Sequence, residues 1–173
     1  NSDNGGLGNI KPGTVGGLRG FKNSVYEGGL RVPAIVEWPA HIKPQISTYP
    51  ACTMDIFPTL IDFAGLSKKQ INKVADGTSL SKVINSDLSA RPTPIGFRHT
   101  GRAAWIDNNY KLITLKVGSG EYELYDLKTD PTEQHNLLTD RPDVAKQMIK
   151  AFETWNTSVE RSRLGADYSS GKV

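Results

Sequence analysis

Four short stretches in the second half of the chain, PIGFRHT, GRAAWID, YKLITLKV and EYELYDL, follow one another with only Gly, Asn-Asn and Gly-Ser-Gly between them. Segments of strand length, rich in β-branched and aromatic residues and broken by turn residues, leave an antiparallel hairpin sheet over residues 94–127 as the economical solution. Asn108-Asn109 suits a two-residue hairpin loop, because asparagine tolerates positive φ. After KTDPTEQHNLLTD the periodicity changes. Pro142 stands where a helix begins, with Asp140 as its expected cap, and Val144, Met148, Phe152 and Trp155 recur at helical spacing. That apolar stripe is expected to pack on the sheet. The tail after Gly165 is polar and expected to be loose.

The first half has another character. Residues 1–31 are glycine-dense, which suits loops whose backbone approaches another group closely. VPAIVEWP (32–39) reads as a buried strand, with Pro33 confined to its start. TMDIFPTLIDFAGL puts Ile56, Leu60, Phe63 and Ala64 on one helical face, with Thr53 or Asp55 as cap and Gly65 as stop. A turn at Asp76-Gly77 and a short helix over 79–84 follow. The reading is an α/β chain in two parts: residues 1–88 as the edge of a large α/β domain, and residues 89–173 as a small antiparallel sheet packed by a C-terminal helix.

Composition narrows the functional classes. The net charge is +3, with 21 Lys and Arg scattered among 18 Asp and Glu. That scatter lacks the basic stripe or aromatic-basic module of a nucleic-acid binder. No apolar run approaches the roughly 18 residues of a membrane span. Cys52 is the only cysteine, so no disulfide forms within the chain, and it reads as a buried small hydrophobe.

Individual residues give weak signals. Asp3 and Asn4 offer hard oxygen donors of the kind that bind Ca²⁺ or Mg²⁺, yet Asp-Asn-Gly-Gly is also an ordinary turn. Lys22, flanked by glycine-bearing loops, places a compact ammonium where an anion can approach, and Arg19 adds a planar fork. Taken singly, both read as ordinary surface cations.

In order, the segments SDNGG, LRGFKNSVYEGGLRVPAIVEWP, DIFPTLIDFAG, DGTSL and YKLI…YELYDLKTDPTEQHNL resemble the C-terminal portion of the type I sulfatases of the alkaline-phosphatase-like superfamily. The most specific runs are Lys-x-x-x-Tyr-Glu-Gly-Gly and Tyr-Asp-Leu-x-x-Asp-Pro-x-Glu-x-x-Asn-Leu. The resemblance implies that Asp3 and Asn4 are calcium ligands and that Lys22 contacts the sulfate group. Tyr26, Glu27, Gly28 and Gly29 then form the turn that aims Lys22, and Arg31 braces it. Arg19, Arg98 and His99 are expected near the substrate, His99 together with Arg98 or Arg102, while His41 and His135 have no matched role. The expected substrate is a sulfated carbohydrate or another sulfate ester, acted on by an exported parent enzyme.

The same family makes its formylglycine nucleophile from a Cys/Ser-x-Pro-x-Arg motif. Cys52 is followed by TMDI, so it is not that residue, and no serine starts such a run. The chain is therefore expected to act with an N-terminal portion that carries the nucleophile and the remaining calcium ligands, and to be inactive alone. Two alternatives stay open: a phosphoester or phosphonate hydrolase of the same superfamily, or a non-catalytic glycan-binding module.

Overall fold

A computed structural model describes residues 1–10, 13–66, 76–86, 88 and 90–167, the side chain of Asn85 excepted. The sheet is a four-stranded antiparallel meander in the order β1-β2-β3-β4, formed by Ile95–His99, Arg102–Asp107, Tyr110–Thr114 and Glu123–Asp126. Turn chemistry sets its register. Thr100 and Gly101, at φ 47° and 78°, close the first hairpin so that His99 faces Arg102. Asn108 takes φ 53° and lets Asp107 face Tyr110. The expected asparagine turn is present.

Side-chain alternation gives the sheet two unlike faces. On one, Ala103, Trp105, Leu112 and Leu124 meet Ala145, Met148 and Phe152 of the C-terminal helix. That helix, Pro142–Arg163, starts on proline as expected. Its N-cap is Arg141 rather than Asp140, and no side chain caps it. Trp155 lies over Gly96, where an added Cβ would sit 2.3 Å from the indole, so a glycine is required in β1 at that point. On the other face Ala104, Ile113 and Tyr125 bury Val25, with Tyr26, Leu30 and Phe97 at the margin. The glycine-rich first segment is thus folded onto the sheet.

Helices are numbered along the chain: α1 is Glu27–Leu30, α2 Ile56–Phe63, α3 Ser81–Asn85 and α4 Pro142–Arg163. The expected turn at Tyr26–Gly29 is a single helical turn. A 3-10 turn, Thr53–Asp55, leads into α2, and Gly65 ends it with φ 66°. Asp55 accepts the backbone N–H of Cys52 at 2.9 Å, which is the reciprocal half of a capping box. Residues 32–38 differ from expectation: no strand forms there, and Ile35 is 88% exposed. An apolar extended segment becomes a strand only with a neighbour to share its hydrogen bonds, and the meander offers none at that position. The sequence beyond 167, expected to be loose, lies outside the described residues.

Candidate active site

Three glycine-bearing segments touch through their backbones. The N–H of Gly5 donates to Gly29 O at 2.9 Å, that of Lys22 to Gly6 O at 2.9 Å, and that of Gly28 to Arg19 O at 2.7 Å. Such contacts leave no space for side chains. A Cβ on Gly5 would stand 1.9 Å from Gly28 O, and one on Gly28 would stand 2.2 Å from Gly20 O. Close approach accounts for Gly5, Gly20, Gly28 and Gly29, whereas Gly16 and Gly17 stand in open space at positive φ.

The cluster sets Lys22 against the chain two residues beyond Asn4. Lys22 and Asp3 are exposed and Asn4 is half-buried. Among the described residues neither the Lys22 ammonium nor the Asp3 carboxylate has an ion-pair partner. The exposed Lys22 ammonium can meet an anionic ligand, whereas the oxygens of Asp3 and Asn4 suit a cation. For calcium the chemistry of Asp3 and Asn4 is suitable, but two donors fall short of the six to eight that the ion takes. Among the described residues no group of three or more His, Cys, Asp or Glu is placed to complete such a shell.

The remaining expected residues divide. Arg102 reaches the Asn23 carbonyl at 3.4 Å, next to Lys22. His99 pairs with Arg102 across the first hairpin and shares the alternation of Phe97, so both belong to the face that carries the Lys22 loop. Arg98 belongs to the opposite face. Its guanidinium forms an ion pair with Glu160 of α4, which corrects its expected place beside the substrate. Of the two arginines expected with His99, the alternation selects Arg102.

Arg19 stays exposed, but its fork is turned onto the sheet. Its fork donates to Tyr125 Oη at 2.9 Å, Glu133 O at 2.8 Å and Tyr26 Oη at 3.0 Å. Its guanidinium stacks 3.8 Å from the centre of the Tyr26 ring. Through those donors Arg19 fastens the loop to β4. Burial and the Glu123 carboxylate push the Tyr125 phenol up to about 12, so it remains a neutral donor at physiological pH. Arg31 braces α1 as expected, 3.8 Å from Glu27. His41 packs at a tilt against Trp38, and His135 lies by Asp130 on the surface. Burial and then the neighbouring Asp55 carboxylate raise the Cys52 thiol to about 11, so it is not a ready nucleophile.

Sequence reasoning missed the ionic centre beneath this loop. Lys111 is fully buried, with its ammonium 2.8 Å from Glu27 Oε1 and 2.8 Å from Glu133 Oε1. Glu133 Oε2 accepts the N–H of Glu27 at 2.7 Å. The available signal was Lys111 itself, a charge inside the buried run of β3 that needs counter-charges.

No protein-family model matches the chain. It is 28% identical over 159 residues to an N-acetylgalactosamine-6-O-sulfatase of Bacteroides thetaiotaomicron, covering 83% of this chain and 30% of the relative. It is 30% identical over 141 residues to a choline-sulfatase of Rhizobium meliloti, covering 76% of this chain and 26% of the relative. Among solved structures, Ps i-CgsB in complex with k-i-k-neocarrahexaose superimposes with a TM-score of 0.68 at 27% identity, covering 88% of this chain and 34% of that one. The chain therefore spans about a third or less of the relatives it matches.

Proposed function

This chain belongs to the sulfatase family, and from that premise we propose that its parent protein hydrolyses a sulfate ester, ROSO₃⁻ + H₂O giving ROH and hydrogen sulfate, with this chain as its C-terminal part. In that reading Lys22 binds the sulfate oxygens, and its ammonium offsets the negative charge that gathers there as the ester bond breaks. Asp3 and Asn4 would be two of the oxygen ligands of a calcium ion, which would supply Lewis-acid polarisation of the ester when bound. His99 and Arg102 border the leaving group, and an N-terminal portion of the parent supplies the nucleophile. A sulfated sugar is the favoured substrate class, since one relative is an N-acetylgalactosamine-6-O-sulfatase and a solved neighbour is in complex with k-i-k-neocarrahexaose. The observation that carries the reading is the hydrogen bond from Lys22 N–H to Gly6 O, which brings the two motif segments together.

The test is an aryl sulfate assay of the full-length parent with calcium. Lys22→Ala is expected to lower kcat by about 10² to 10³, the usual cost of removing one donor aimed at developing charge. Asp3→Ala and Asn4→Ala should each raise the calcium concentration needed for half-maximal rate. A preference for aryl phosphate over aryl sulfate would replace this reading with the phosphoester branch. Oligosaccharide binding without turnover would replace it with a glycan-binding module.

A further inference from the structure

The buried ionic centre takes no part in the chemistry above, yet it joins the two most distinctive runs of the sequence. Glu27 comes from the Tyr-Glu-Gly-Gly run and Glu133 from the Asp-Pro-x-Glu run, 106 residues apart, while Lys111 stands on β3 between them. Burying three charges is costly, and apolar residues of similar size would hold a core at least as stably. What apolar residues would not give is direction. The contacts of Val25 with Ala104, Ile113 and Tyr125 are apolar, and burial of that kind has no preferred direction. A carboxylate 2.8 Å from an immobile ammonium has one. The loop has a second fastening at Arg19, through Tyr26, Tyr125 and the Glu133 carbonyl. Lys22 lies between these two anchors, eight residues apart in sequence, and its own backbone is tied to Gly6.

We propose that Lys111 is a positioning residue: from beneath the sheet face, through Glu27 and Glu133, it fixes where the Lys22 loop stands relative to the Asp3-Asn4 segment. The inference rests on the reading that Lys22 meets the sulfate, and its test separates the two. In the full-length parent, Lys22→Ala, Lys111→Met and the double variant are compared by kcat on an aryl sulfate. Hydrogen–deuterium exchange is followed at the Lys22 amide and at amides of the β2–β3 ladder.

Lys111→Met alone is expected to lower kcat at least tenfold and to speed exchange at the Lys22 amide at least tenfold relative to the ladder. In the Lys22→Ala background the same substitution should change kcat less than twofold, since its effect passes through Lys22. If Lys111→Met does not fold, the triple variant Glu27→Gln/Lys111→Met/Glu133→Gln leaves no orphaned charge and is read in the same way. An equal loss of kcat in both backgrounds, with Lys22 exchange unchanged relative to the ladder, overturns the proposal. Wild-type kcat in Lys22→Ala instead removes the sulfate-contact reading, and the exchange measurement then decides the fastening alone.

Discussion

Asp55 and Arg91 form a bidentate pair with their side chains sealed from solvent, at 2.7 and 2.8 Å. Burial alone would raise the Asp55 carboxyl, but the Arg91 fork and the N–H groups of Thr78 and Cys52 outweigh it and hold it below the usual range. A carboxyl depressed in the folded state stabilises fully above its unfolded value of about 3.9, and that contribution is lost as pH falls through the folded value. Asp55→Ala leaves a buried guanidinium unpaired and is expected to cost about 3–5 kcal/mol, read as a lower urea midpoint at pH 7. The variant should also lose less stability than the parent between pH 5 and the acid transition. Cys52, beside this pair, should resist iodoacetamide at pH 7.5 in the native state and react readily once unfolded, because its thiol titrates near 11. Rapid native alkylation would contradict the half-burial and the raised thiol that the structure gives it.

At the scale of elements, α1 shows how packing reverses a local preference. Alanine normally stabilises a helix over glycine by roughly 1 kcal/mol. At Gly28 the added methyl would lie 2.2 Å from Gly20 O and 2.7 Å from Arg19 O, backbone atoms that cannot rotate aside. Gly28→Ala is therefore expected to destabilise by about 1–3 kcal/mol, as overpacking does, and to loosen the Lys22 loop. Thermal unfolding measures the first effect, and a lower kcat of the parent on aryl sulfate the second. The strands and α4 were legible because their patterns are local: turn residues at fixed places and apolar side chains at periods of two and 3.6. The Glu27–Lys111–Glu133 centre was not legible. Its members are scattered over 107 residues, and each alone is an ordinary charged residue.

Across the whole molecule, the described residues bury two cores on the two faces of the small sheet and leave many large apolar side chains exposed elsewhere. Ile35, Val36 and Ile46, with Ile56, Phe57 and Leu60 of the α2 region, are exposed. No helix among the described residues is long and apolar enough to cross a membrane. The isolated chain should bind the dye ANS strongly, as proteins with exposed apolar patches do, and should hydrolyse no aryl sulfate. ANS fluorescence no greater than that of a compact control protein would show these side chains to be covered within the chain itself.

Sequence alone determined the meander, the amphipathic helix and the family, because each is written in contiguous residues whose local geometry allows few readings. Its motifs also suggested Asp3, Asn4 and Lys22 as candidate site residues, and the fold brings the two segments that carry them into backbone contact. Only the tertiary structure decided which arginine shares a face with His99, that Arg19 fastens a loop, and that Lys111 is buried between two glutamates. Those outcomes depend on which segments share a sheet face and how closely their backbones approach. Such relations arise between distant parts of the chain, and no short stretch of it encodes them.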